Sequence, residues 1–519
     1  MGRILILISI TYSLVLATNY YVDKNHPAAN DTNPGTPDLP FKTIQRGIDV
    51  AYGGDSVFVK AATYQPGSAG LRMQRSGNAN NKIIFTNYED DQVIIQFPSS
   101  NILSRGWWWN GFRDYLVVNG FELIGAKYAI LVQGDHNEVT NCKVHNTGSD
   151  GLCIWGGSYN LIAHNEIWNT GWNGIYIESR VRVGLHGRAN YNVVEYNYCH
   201  DNSQHFGINI YPETDGIQDT LIGNIVRYNI SENNKGGMYI RRWLDGAIYG
   251  NLFVDNYNNG LFLHHWDNTP PLPFPSNLKI YNNTFVRNTP YWSISGDSFS
   301  HITIKNNIFL QDANYTIIKI DHPEGCTLDY NLYYNTGSNL VVRWDWIYYT
   351  LTEFQNNEGQ EINGLWADPL LASDYRLTAN SPARDSGVDL GPPYNYDMDG
   401  HLRGEDGNWD IGGFEYKDTR IESEISIEQP KHRLSLQPSI FTSTTTICLA
   451  LKKSATIEIG VYNSLGERVS GSGLRRSKGE ISIPINLKSL PVGVYLCRVR
   501  LIYDDGSVEA ITGKAVKVR

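Results

Sequence analysis

Gly151-Leu-Cys-Ile154, Gly174-Ile-Tyr-Ile177, Gly207-Ile-Asn-Ile210, Gly237-Met-Tyr-Ile240 and Gly260-Leu-Phe-Leu263 write the same short apolar strand five times. Trp292-Ser-Ile294 and Ile318-Lys-Ile320 read as weaker copies, and the last residues of the seven fall 23, 33, 30, 23, 31 and 26 apart. Between them lie Asn-x-Val/Ile units such as Asn160-Leu-Ile162, Asn192-Val-Val194 and Asn224-Ile-Val226. A repeat of about 22 residues holding three short strands is one turn of a parallel β-helix. One turn cannot bury its own apolar side, so turns stack. Period-2 alternation then sends Ile, Leu and Val inward and the residues between them outward. The recurrent Asn suits the bends, because it tolerates left-handed backbone and its amide can bond nearby backbone or form ladders along the stack.

The chain has 519 residues, a net charge of −10, and 41% hydrophobic and 18% charged residues, which is enough to bury a large core. From Arg420 onward 15 Lys and Arg stand against 9 Asp and Glu, net +6, leaving −16 for residues 1–419. That balance speaks against a nucleic-acid partner, which needs a basic face. In residues 1–17, Arg3 precedes the apolar run from Ile4 to Leu16, the pattern of a secretory signal peptide. The protein is therefore expected to be secreted or attached to a cell surface, with no membrane span after signal removal. Cys142, Cys153, Cys199, Cys326, Cys448 and Cys497 show no CxxC spacing, which argues against a zinc or redox site. Whether Cys448 and Cys497 pair is open. His136, His145 and His200 read as bend residues between strands.

The stretches Asn19-Tyr-Tyr-Val-Asp23, Asn33-Pro-Gly-Thr36, Pro40-Phe-Lys-Thr-Ile44 and Gly54-Asp-Ser-Val-Phe-Val59 resemble the opening segment of secreted bacterial right-handed parallel β-helix proteins of the pectate-lyase-like superfamily. Asp374-Tyr-Arg-Leu377, Asn380-Ser-Pro-Ala383 and Asp410-Ile-Gly-Gly-Phe-Glu415 resemble their closing segment. The resemblance implies an all-β, right-handed parallel β-helix over residues 18–419. It leaves the reaction open, since this shell hosts lyases, hydrolases, epimerases and adhesins. Residues 420–433 read as a linker. Alternating strands at Thr456–Tyr462, Glu480–Ile485 and Val492–Arg498 make residues 434–519 a small antiparallel β-sandwich. Val461-Tyr-Asn-Ser-Leu-Gly-Glu-Arg-Val469 and Leu490-Pro-Val-Gly-Val-Tyr495 resemble the type IX secretion sorting domain, which implies secretion machinery as a partner.

Equivalent outward positions of stacked strands form columns. Aligned on the recurrent strand, one column reads Cys153, Tyr176, Asn209, Tyr239, Phe262, Ser293, Lys319, and the next Trp155, Glu178, Tyr211, Arg241, His264, Ser295, Asp321. Arg180, Glu213, Asp215, Arg242, Trp243, His265 and Trp266 follow directly. Extra residues at Val181–Asn190, Pro212–Gln218 and Thr269–Ser276 all fall after this strand, so they project from one edge and wall a groove. Aromatic rings interleaved with carboxylates and guanidinium groups suit a polysaccharide chain, and the protein is expected to be a monomer.

The first reading is a polysaccharide lyase that cleaves a uronic-acid polymer by β-elimination. It needs a cation on the carboxylate, a base for the C5 proton and an acid for the leaving oxygen. Arg241 and Arg242 supply charge, His264 or Tyr239 the base, and Tyr211 or His265 its partner. Tyr176, Arg180, Glu213, Asp215, Trp243, Phe262 and Trp266 complete the substrate-binding set, with Glu178 as a further catalytic group. Calcium (Ca2+) held by Glu178, Glu213 and Asp215 is an alternative to arginine. The second reading is a glycoside hydrolase using Glu178 with Glu213 or Asp215 as its carboxyl pair. A C5-epimerase would begin with the same proton abstraction as the lyase. The third reading is a non-catalytic glycan-binding surface protein or adhesin.

Overall fold

The computed structural model describes residues 17–417 apart from 90, 99–104, 110, 181–186, 213–219, 265–274, 298 and 313, and the strands within 435–517 without their connecting loops. The signal-peptide reading, the linker and the centres of the three inserted segments lie outside the described residues. The chain divides into two compact units, Met1–Tyr416 and Lys417–Arg519.

The first unit is a right-handed parallel β-helix built of three sheets of 12 strands each. Each turn places one strand in each sheet. Ser56–Val59, Ala62–Tyr64 and Leu71–Met73 are the strands of one turn in the first, second and third sheets, and Leu161–Ala163, Glu166–Thr170 and Ile175–Ser179 those of a later turn. All the recurrent strands of the sequence lie in the third sheet. Pairing is parallel throughout, except that Ile347–Thr350 folds back antiparallel on Leu340–Trp344.

The interior is filled by like-on-like stacking. Phe253, Phe285, Phe309 and Tyr333 form a column with centroids 4.9, 5.1 and 5.2 Å apart. Each end of the stack is closed by a short helix. Ile44–Val50 buries Ile44, Gly47 and Ile48, starting from the Thr43 cap. Leu351–Glu358 carries a Thr350–Glu353 capping box and buries Phe354 against Trp344 and Tyr349. Trp107 of the Trp107-Trp-Trp109 run is fully buried between Phe85 and Phe121, whereas Trp108 faces outward and meets Arg72 at 4.9 Å.

The recurrent Asn is not itself the left-handed residue at most bends. The residue just before it is: Tyr159, Tyr191, Tyr196, Tyr228, Gly250 and Asn282 have φ between 52° and 63°, and Asn160, Asn192, Asn197, Asn229, Asn251 and Asn283 follow them. These asparagines are buried and bond from turn to turn. In one ladder Asn165, Asn197, Asn229, Asn251, Asn283 and Asn307 each pass their side-chain N–H to the next Oδ1 at 2.9–3.0 Å, the last of them to Asn331. A buried amide is costly unless bonded, and here each satisfies its neighbour and the bend backbone together. The ladder ends on Glu361, which accepts from Asn331 Nδ2 and the Tyr333 hydroxyl, both at 2.6 Å.

The second unit is a small sandwich. Ser435–Gln437, Thr444–Leu451 and Gly479–Asn486 make one sheet, and Ile440–Phe441, Ala455–Tyr462, Arg468–Arg476, Gly493–Tyr503 and Val508–Lys517 the other. Ile447, Ile483 and Ile485 on one and Ile457, Ile459, Val461, Val499 and Leu501 on the other are buried, as alternation requires.

Candidate functional site

The third sheet aligns its outward side chains by register. Cys153 pairs with Tyr176, Tyr176 with Asn209, Asn209 with Tyr239 and Tyr239 with Phe262. In the neighbouring column Trp155 pairs with Glu178 and Glu178 with Tyr211. Arg241 then bonds its backbone N–H to Ile210 O and His264 to Ile240 O, so the column runs on through consecutive turns. Glu178, Tyr211, Arg241 and His264 therefore share one flank.

Beyond His264 the sequence register is wrong by two residues. Ile294 pairs with Leu261, not Leu263, so Ser295 belongs beside Phe262 and Ser293 falls outside the strand's outward positions. Asp297 then takes the place beside His264 that was expected for Ser295. The cause is Gly296, which stands opposite Leu263, where other turns carry an apolar side chain. Aligning on the last apolar residue, Ile294, hides this, and the lone acid after a glycine was the signal missed.

Arg242 and Trp243 also depart from expectation. Trp243 is part of the hydrophobic core and Arg242 is fully covered, because Arg242 is left-handed (φ 48°) and turns the chain around the corner there. Glu213, Asp215, His265 and Trp266 lie outside the described residues.

The remaining groups interlock. Glu178 Oε2 accepts from Arg180 Nε at 2.6 Å, and the Arg180 guanidinium lies 3.6 Å from the Trp155 ring centroid. Arg241 donates from Nη1 to the Tyr211 hydroxyl at 2.8 Å. Tyr239 sits among Phe206, Phe262 and His264, with centroids 5.1, 5.5 and 5.9 Å away. His264 Nδ1 is 3.4 Å from Asp297 Oδ2, and Lys319 bridges Asp297 at 2.8 Å and Asp321 at 3.0 Å. Arg343 closes the row on Asp321 at 2.7 Å.

Burial separates the acids from the bases here. It pushes the Tyr239 phenol well up, although nearby Arg241 opposes it. It does the same to Tyr176, aided by the Glu178 charge. Asp297 is held down at about 2, chiefly by its hydrogen bond with His264 and also by Lys319. At neutral pH the flank therefore offers protonated phenols, an ionised Asp297 and fixed guanidinium groups. That set can neutralise a carboxylate, move a proton and stack sugar rings. Among the described residues, the three-group cluster with metal-like spacing is Asp397, Asp399 and His401 in the closing segment, where Asp399 is forked by Arg376.

Comparison with known proteins agrees with this architecture. Residues 20–235 match the family described as "Pel9A-like, right handed beta helix region". Pectate lyase PEL9 of Emericella nidulans (strain FGSC A4) is 26% identical over 174 residues, 31% of this chain and 42% of that protein. The uncharacterized protein YwoF of Bacillus subtilis (strain 168) is 33% identical over 73 residues, 14% of this chain and 15% of that protein. The chain's matches span less than half the length of these curated relatives. Among solved structures, pectate lyase Pel9A superposes with a TM-score of 0.52 at 16% identity, covering 78% of this chain and 97% of that one. XylC in complex with xylose gives 0.50 at 10% identity, covering 77% and 98%. These likenesses show a pectate-lyase-like right-handed β-helix fold.

Proposed function

We propose that the protein is a polysaccharide lyase that cleaves a uronic-acid-containing polymer by β-elimination on the third sheet. The observation that carries this reading is that Arg241 and His264 stand on adjacent turns of one flank, about 4.8 Å apart along the stack, with a buried phenol beside them. Arg241 neutralises the uronate carboxylate, which makes the C5 proton acidic. His264, oriented through Nδ1 by Asp297, takes that proton at Nε2. The electron pair forms the C4–C5 double bond, the C4–O bond breaks, and the leaving oxygen is protonated by Tyr239, which burial keeps in its acid form. Tyr211 fixes the Arg241 guanidinium, while Tyr176, Arg180 and Phe262 flank the sugar path. Kinship with pectate lyases supports the substrate class.

The chain is exported under this reading, with residues 1–17 as leader and residues 434–519 as sorting domain. A hydrolase would need Glu213 or Asp215 beside Glu178, whose carboxylate is engaged by Arg180.

The test is a panel of uronic-acid and neutral polysaccharides, followed by the ultraviolet absorbance of an unsaturated uronate and by reducing-sugar release, with and without a chelator. Absorbance together with reducing ends is the expected result. Reducing ends without absorbance would instead identify a hydrolase.

A further inference from the structure

A different face of the β-helix carries a second trough. Two adjoining clefts of about 490 and 390 Å³ share His164, Tyr196 and Tyr198, so they form one continuous depression over the second sheet. It runs from Lys143 and Glu166 at one end to Leu252, Tyr375 and Arg376 at the other. The strands beneath it, from Lys143–Thr147 to Leu252–Val254, are five successive members of that sheet. At about 4.8 Å per turn this gives a floor roughly 19 Å long. That is a length for several linked sugar rings.

Its wall residues are held by one another. His164 and Tyr196 stack with centroids 5.0 Å apart and planes 4° apart, and Tyr228 continues the column at 5.0 Å. All three are left-handed, at φ 57°, 54° and 56°, while the same corner in other turns uses Gly120, Asn141, Gly250, Asn282, Asn306 and Tyr330. Asn and Gly adopt that backbone at least cost, so the bend alone does not call for three aromatic rings in a row. Tyr198 is clamped from both ends: its ring lies 4.1 Å from His200, and its hydroxyl donates to Glu232 at 2.6 Å. His145 and His200, expected at bends, are in fact strand residues that sandwich Trp168 at 4.1 and 5.6 Å along this sheet. The facing wall is the closing segment, pinned to the helix by Gly413 N–H to Thr284 Oγ1 at 3.0 Å and by the Tyr228 hydroxyl to Tyr396 O at 3.1 Å.

The charge of the trough selects its ligand. Lys143 is paired with Glu166, and Arg376 with Asp374 and Asp399, which leaves Glu232 and one further carboxylate in excess of the cations. An acidic polymer would be repelled, whereas hydroxyl groups can donate to these carboxylates and pyranose faces can lie on the tyrosines. We infer that this trough is a second, non-catalytic binding site for a neutral glycan chain, separate from the flank of Arg241 and His264. It holds a neutral polymer, or the neutral segments of a mixed one, against the protein while the other face works.

The inference is tested by affinity electrophoresis of the full chain through gels containing xylan, galactan, mannan, β-glucan or polygalacturonate. At least one neutral polymer should retard the protein. Tyr375→Ala and Glu232→Gln should each weaken that retardation by about tenfold while the melting temperature and turnover at the other face stay unchanged. Arg241→Ala and His264→Ala should leave it intact. Retardation by no neutral polymer would overturn the inference. So would retardation untouched by both trough variants, or retardation lost on Arg241→Ala, which would return the binding to the third sheet. Binding of polygalacturonate that depends on Tyr375 would overturn the assigned ligand class.

Discussion

His264 Nδ1 faces Asp297 Oδ2 at 3.4 Å, and Lys319 holds the other oxygen of the same carboxylate at 2.8 Å. The three residues come from three successive turns of one sheet, so the imidazole is oriented from below by an acid that is itself tied down. An acid placed there fixes which ring nitrogen faces the carboxylate and which faces away from it.

Asp297→Asn should lower the elimination rate by about tenfold to a hundredfold with little change in KM, because the imidazole loses its orienting charge while the sugar contacts persist. Asp297→Glu should recover part of the loss. Steady-state kinetics on a uronate polymer checks both. The depressed Asp297 carboxyl also adds stability above the unfolded-state range near pH 4, and this is lost as pH falls towards about 2. The Asn variant should show a smaller loss over that acid window in thermal melts.

Arg241→Ala and His264→Ala should each reduce kcat/KM by about a thousandfold, while Glu178→Ala leaves measurable activity. Absorbance of the unsaturated product reads this directly. Elimination that survives either of the first two substitutions unchanged would move the site elsewhere.

Glu361 is wholly buried at the end of the Asn ladder, and burial raises its carboxyl from 4.5 to about 8. The folded state therefore holds this proton more tightly than the unfolded state does. The contribution is fully present below about pH 4.5 and is lost as pH rises through about 8. Glu361→Gln should flatten the dependence of melting temperature on pH between those limits, measured by calorimetry from pH 4 to 9.

Asn229 donates to Val194 O, Arg227 O and Asn251 Oδ1 and accepts from Asn197. Asn229→Ala strands several buried groups at once, with an expected cost of about 3 kcal/mol or more. Urea unfolding followed by circular dichroism should show the midpoint fall, with the unfolding free energy lower by that amount.

Much of this was legible in the sequence. The recurrent Gly-apolar strand and the Asn units predict the stacked turns, and the shared flank of Glu178, Tyr211, Arg241 and His264 follows from aligning them. Legibility stopped where a local feature broke the repeat. Gly296 in an apolar slot shifted the register and concealed Asp297. The corner at Arg242 turned that side chain and Trp243 away from the flank. His145 and His200 read as ordinary bends, and the trough over their sheet went unread because its facing wall, Asp374 to Phe414, lies more than a hundred residues downstream.

By itself, then, the sequence determined that the chain coils and which strand recurs, since alternation and turn chemistry are local properties that each repeat states afresh. Only the tertiary structure decided which residue stands above which. Turns of unequal length can be aligned in several ways on paper, and it is the stacking of interior side chains and the turn-to-turn hydrogen bonds of the asparagines that select one.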